Sequence, residues 1–284
     1  MAERKHRYHA EAGAIHGALA LPVSLQIEPQ AHAKVDPTGG YESQHGKPFR
    51  IEGIVSYTTA HTQVAGHTDD KPASGFKTLA TAVVEDLNIL NIVTADRVVA
   101  QVSTEHPLDD QDGHVPDVTF LGSQFFNLRI AGFPVEVELD LNLVNPEEHS
   151  GKIAFTKNDA FLKRLADRFD VFRRDGDGIP EDLRRRYQTG PVTVGDTEST
   201  EYSLVTAVKG VFPGRNFGHV LDIPNFGRVY LGVVRIEHSD YEGNIPKTTL
   251  IELTMIDVRM GCIASGSIAC ANTKSNGGTV PGGG

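Results

Sequence analysis

The chain has 284 residues, with 27 lysines and arginines against 37 aspartates and glutamates, a formal charge of -10. That charge argues against a dedicated nucleic-acid binder or a binder of anionic membranes. With 39% hydrophobic and 23% charged residues, the composition is that of an ordinary globular chain, long enough to bury a core without a metal or disulfide staple.

The amino terminus reads Met-Ala-Glu-Arg-Lys-His-Arg-Tyr-His, with no apolar stretch of signal-peptide length after it. The expected compartment on that ground is the cytoplasm. No run of about 18 apolar residues is present, so no membrane-spanning helix is expected. Residues 1–12 are expected to form a flexible end, with His6 and His9 three apart and His16 beyond them. Such a histidine cluster suits a loose metal chelate more than a built site.

From there the chain alternates with a period of two. Strand candidates are Val23/Leu25/Ile27, Phe49 to Tyr57, Thr78 to Val84, Asp96 to Ser103 and Leu128/Ile130. The clearest is Val135-Glu136-Val137-Glu138-Leu139-Asp140-Leu141-Asn142-Leu143, apolar at every odd position. Turn signals fall at Pro37 to Gly40, Asp69 to Pro72, Asp112-Gly113 and Pro213 to Asn216. Later strands are Val229/Leu231/Val233 and Leu250 to Met260, the latter read as central and apolar on both faces. Many short strands between turns predict a mainly β fold, an antiparallel sandwich or barrel-like domain.

Between the two β blocks the period changes. Phe161, Leu162, Leu165, Ala166, Phe169 and Phe172 fall at helical spacing within Asn158 to Arg174, and a second short helix fits Pro180 to Tyr187. Residues Pro146 to Gly190 therefore read as a helical insertion in one β domain over 13–271. Residues 272–284, rich in Gly, Ser and Thr, read as a mobile tail.

Between the two helices lies Arg174-Asp175-Gly176-Asp177-Gly178-Ile179-Pro180-Glu181-Asp182. Alternate carboxylates before a glycine can converge on one hard cation, which makes Asp175, Asp177 and Glu181 candidate calcium ligands. With Gly178 at loop position six, however, arginines occupy positions one and twelve, and a helix-capping turn explains the same residues. The loop Leu108 to His114 has a similar pattern and reads as a solvated acidic turn.

The two cysteines, Cys262 and Cys270, flank Ser265-Gly266-Ser267. A hairpin turn there would set them opposite one another within disulfide range. The alternative is two buried thiols on neighbouring strands. Motifs for a nucleophilic serine, a P-loop, a dinucleotide fold or a zinc protease do not occur. Glu136, Glu138 and Asp140 are spaced along one strand as paired carboxylates of a glycosidase would be, and equally as any wet strand face. The basic residues of the insertion alternate with acids and read as a salt-bridged helix surface.

Two segments carry a family likeness. Asn88-Ile89-Leu90-Asn91-Ile92-Val93-Thr94-Ala95-Asp96-Arg97-Val98-Val99-Ala100 is followed by Phe126-Asn127-Leu128-Arg129-Ile130-Ala131-Gly132-Phe133-Pro134-Val135. The pair resembles the choice-of-anchor P family of bacterial surface proteins, over about residues 78–270 with the helical insertion unmatched. The resemblance implies an all-β, non-enzymatic envelope or extracellular domain and supplies no catalytic residues. The expectation is thus a structural or interaction protein that self-associates or binds another protein, with no cofactor. A calcium-dependent module at Asp175 and Asp177 is the alternative, and a hydrolase around Glu136, Glu138 and Asp140 a third.

Overall fold

The computed structural model describes residues 5–21, 24–68, 75–106, 115–143, 153–173, 178–188, 190–242, 245–261 and 264–280. In chain order the strands are β1 (Lys5–Leu21), β2 (Leu25–Gln30), β3 (Ala33–Lys34), β4 (Gly40–Gly46), β5 (Phe49–Ile51), β6 (Val55–Tyr57), β7 (Thr59–Thr68), β8 (Phe76–Ile89), β9 (Val93–His106), β10 (Asp117–Thr119), β11 (Gln124–Phe126), β12 (Arg129–Ile130), β13 (Phe133–Pro134) and β14 (Glu136–Leu139). A 3-10 turn at Phe155–Lys157 and helices α1 (Asp159–Arg168), α2 (Asp170–Arg173) and α3 (Glu181–Gln188) follow. The chain closes with β15 (Val192–Val194), β16 (Thr197–Ser203), β17 (Val205–Lys209), β18 (Arg215–Phe217), β19 (Val220–Ile223), β20 (Gly227–Glu242), β21 (Ile245–Gly261) and β22 (Ser265–Val280). The fold is a mainly β antiparallel sandwich with a small helical insertion, as the alternation predicts. No described helix is long and apolar enough to cross a membrane.

The first sheet runs β15-β16-β20-β21-β22-β1-β2, and the second β13-β12-β9-β8-β6-β5 with β7 and β4 continuing from β8. Strands β1 and β22 pack on β7, β8 and β9. The interface is lined by small side chains: Ala10, Ala12 and Ala14 of β1 meet a layer that includes Ala60, Ala80, Ala82 and Ala100, all buried. Small residues let the two layers approach closely, which is how strands with few large apolar groups still exclude water. At the centre, Thr78, Thr104 and Ser275 place three buried hydroxyls within mutual hydrogen-bonding reach, so each can donate to the next.

Both long sides of the sandwich are laced. On one, the ribbon β14–β17 receives Leu204 from the first sheet and Leu128 from the second: Asp140 N–H donates to the Leu204 carbonyl (2.7 Å) and Val135 N–H to that of Leu128 (2.9 Å). On the other, the Thr62 hydroxyl of β7 donates to the Ala31 carbonyl (2.6 Å), beside β3 on β1. The sandwich is therefore barrel-like at its margins.

Several sequence expectations change. Residues 5–12 and 272–280 are not loose: β1 pairs with β22 from Lys5↔Val280 to Leu21↔Ser265, so both are parts of interior strands. Within β1, His6 is buried while His9 pairs with Glu11 on the outer face (3.4 Å), so the two do not form a joint chelate. The chain reverses between Gly261 and Ser265, ahead of the expected Ser265–Ser267 turn. Cys270 consequently sits opposite Ile256 and Ile15, free and buried, and burial pushes its thiol pKa well up. Cys262 lies outside the described residues, as do the turns at 69–72 and 112–113. The stretch Val135 to Leu143 is a strand only to Leu139, where a register shift opens a turn. Strand β21 is central, but its outer face carries Glu252, Thr254, Asp257 and Arg259. The phase slips at Met255–Ile256, both buried, while the register with β20 is unchanged: Leu231 stands opposite Ile256 and Val233 opposite Thr254, with Gly232 (φ 57°) between them.

His6 stacks flush on Phe76 (4.3 Å between centroids) and edge-on to Tyr8 (4.7 Å), with neither ring nitrogen hydrogen-bonded among the described residues. Burial lowers its pKa to about 4. His219, enclosed by Phe169, Phe172 and Tyr187, is lowered to about 3, first by burial and then by Arg186. Above pH 6.5 both histidines are neutral folded or unfolded and contribute no pH dependence. As pH falls below 6.5 only the unfolded chain takes up these protons, so stability falls until the folded-state values are reached. At pH 5 each histidine should have cost about 2 kcal/mol relative to pH 7.5. Urea unfolding at the two pH values measures this loss, and His6→Leu and His219→Leu should each remove about one proton from the dependence.

Candidate functional site

The candidate site is the cleft where the helical insertion meets the β15–β16 end of the first sheet. The insertion forms for local reasons. Asn158 caps α1 by accepting from the Phe161 N–H (3.1 Å), and Phe161 and Leu165 share its buried face. Helix α3 begins with Glu181 and Asp182 and ends with Arg185 and Arg186, matching its dipole, and buries Leu183 and Tyr187 four apart. The single helix expected from Asn158 to Arg174 breaks at Phe169, so that Phe169 and Phe172 both enter the cluster with Tyr187 (4.8 and 4.6 Å).

The insertion is firmly docked. Phe155 N–H donates to His238 Nε2 (3.0 Å), which places the ring proton on Nδ1, where it donates to Thr249 Oγ1 (2.9 Å). Glu198 accepts from Thr156 and Tyr241 (2.7 Å each) and pairs with Lys157 (3.3 Å). Arg168 donates to the Ser203 carbonyl (3.1 Å) and to Asp140. Arg228 grips Asp182 with two bonds, and this guanidinium holds the Asp182 carboxyl below the usual carboxylate range.

The cleft itself encloses about 440 Å³. One wall is apolar, from Leu162, Leu165 and Phe169 of the insertion to Val192 and Val194 of β15; the floor is Arg186, Glu201 and Arg235. Arg186 binds Glu201 (2.7 Å from Nε) and lies over the Tyr230 ring (4.8 Å). A second hollow of about 330 Å³ continues from this floor over Glu252, Asp257 and Arg259.

This floor is part of a longer array. Register sets Lys34 opposite Glu11, Glu11 opposite Lys274, Lys274 opposite Glu252, Glu252 opposite Arg235 and Arg235 opposite Glu201, which Arg186 then caps. Seven charges of alternating sign thus cross the outer face of the sheet. Partial burial pushes the Glu11 carboxyl up, but Lys34, His9 and His32 outweigh it and hold it below its ordinary value. The sequence could not show this ladder, because its members are far apart until the register is known.

The residues singled out from the sequence fall elsewhere. Asp175 and Asp177 lie outside the described residues, and Glu181 is exposed at the start of α3. No group of three or more His, Cys, Asp or Glu side chains able to hold a metal gathers among the described residues. Glu138 is bound by Lys209, Glu136 stands opposite Lys209 in the register, and Asp140 is held by Arg168, so the three carboxylates each face a cation on a neighbouring element.

Residues 6–237 match the family described as Domain of unknown function (DUF8256), and the chain belongs to that family. No curated protein and no solved structure matches. The match ends inside β20, yet β21 and β22 separate β20 from β1 in the first sheet. A chain cut after Glu237 should therefore fail to fold, giving no cooperative melting transition by circular dichroism. His238→Ala, which orphans the buried Phe155 N–H and the Thr249 hydroxyl, should cost about 2–4 kcal/mol in chemical denaturation.

Proposed function

We propose that the chain is a non-enzymatic structural or interaction module whose self-association runs through the β15 edge of the first sheet. The observation that carries this reading is the exposure of that edge. Strand β15 pairs only with β16 among the described residues, and Val192 and Val194 are 49% and 73% exposed. An unpaired strand edge with β-branched side chains is a template for another strand.

The edge suits a second copy. A two-fold axis through Thr193 would set Val192 of each chain opposite Val194 of the other, two cross-strand valine pairs on one face. The opposite end of the sheet, β2, carries Glu28 and Pro29, which discourage strand addition. The paired charges of the cleft floor favour recognition over chemistry, since Arg186 and Glu201 satisfy each other. A structural role also agrees with what the likeness to choice-of-anchor P surface domains implies.

With three residues per edge the association should be modest and concentration-dependent. Size-exclusion chromatography with light scattering should give a mass rising toward the dimer with concentration, and Val194→Lys should return it to the monomer with an unchanged circular dichroism spectrum. A clean monomer at millimolar concentration would overturn the proposal.

A further inference from the structure

Strands β4 and β7 pair over seven consecutive positions without a register shift, and His45 stands opposite His61. Their ring centroids are 4.4 Å apart and the planes are inclined by 34°. His45 is exposed and His61 half-buried, so the pair opens to solvent from one side. Nδ1 of His61 is buried, and the Gln44 backbone lies beside the ring. We propose that His45 and His61 form a two-imidazole chelate for a borderline divalent transition metal of the zinc class, which ties the β4 strand to β7.

The chemistry fits at three points. Neutral imidazole is the ligand form, and burial, then the neighbouring His45, lowers the His61 pKa against the opposing pull of the Gln44 backbone. Two imidazoles on one tetrahedral zinc, at about 2.0–2.1 Å from each nitrogen, place their centroids about 5 Å apart. The observed rings need part by only about half an ångström, well within side-chain adjustment. Imidazole also selects zinc, copper or nickel over calcium or magnesium. The next cross-strand pair, Ser43 and Gln63, adds no charge. Two protein ligands leave the remaining positions to water or to a group from another molecule.

The test uses the full chain with Zn²⁺ alone at pH 7.5, and Mg²⁺ as the comparison. Zinc should raise the melting temperature and slow amide exchange at residues 40–46 and 60–66, while magnesium does neither. His45→Asn and His61→Asn should each weaken zinc binding by calorimetry at least tenfold and abolish that local protection. His45→Asn, at an exposed position, should leave the metal-free melting temperature unchanged. Absence of zinc binding, or binding and protection that both variants retain, as zinc held by His9 and His32 would produce, overturns the proposal.

Discussion

The pairing of the two chain ends, β1 with β22, is the constraint on which this structure rests. Both strands are internal to the first sheet, and together they cover β7, β8 and β9 of the second. Their inner faces are unusual for a core. Alanines on β1 and Thr273 and Ser275 on β22 replace the large aliphatic groups expected there. Such a surface gains less from hydrophobic burial per residue than leucine or isoleucine would. It compensates by fit: close approach of the sheets and the closed set of hydroxyls formed by Thr78, Thr104 and Ser275. Because the pairing joins the first strand to the last, nearly the whole chain must be ordered before it forms, a topology that folds slowly.

That same chemistry explains what the sequence concealed. Alternation made β8, β9 and β20 legible, and helical spacing located the insertion between β14 and β15. The ends escaped because Ser, Thr, Asn, Gly and Ala are also the composition of a flexible tail. Only the opposing layer distinguishes the two cases. Tyr8 shows how: its ring lies over Gly66, where a Cβ would come within 2.8 Å of the ring, and its hydroxyl bonds Thr68 (2.6 Å). Neither glycine nor tyrosine announces that contact along the chain. The Met255–Ile256 slip was hidden likewise, since two adjacent buried residues read as a strand apolar on both faces until the outward-facing Glu252, Thr254, Asp257 and Arg259 on either side are placed.

The alternating ladder from Lys34 to Arg186 has a role beyond neutrality. Each exposed pair contributes at most about 1 kcal/mol. A slip of one strand by two residues would preserve which side chains face the core and would be tolerated by the small inner residues. It would, however, break the charge matches on both sides of the shifted strand: moving β22, for example, takes Lys274 away from both Glu11 and Glu252. On β1 and β22, where the inner face is rich in small groups, the outer charges are thus well placed to fix the register, whereas β20 and β21 also bury large side chains such as Ile236, Ile251 and Leu253. This differs from ordinary sandwiches, where large core residues do that work.

A self-neutralised face is a poor discriminator of partners by charge, because every cation already has its anion beside it. What distinguishes one margin of the molecule from another is then backbone, not charge. Strand β2 ends the sheet with a proline and a glutamate, and β4 is flanked by β3, whose Lys34 N–H reaches the Glu42 carboxylate (3.4 Å). Strand β15 carries no proline or charge within its three positions, although Pro191 directly precedes it. Its position is fixed by its pairing with β16, whose Glu198 and Glu201 are bound by Thr156, Lys157 and Arg186 of the insertion. The helices that interrupt the β pattern therefore act as a brace: they hold the terminal ribbon in a defined geometry and supply the apolar wall beside it. An edge held rigid in this way avoids much of the ordering entropy that a loose strand would lose on pairing.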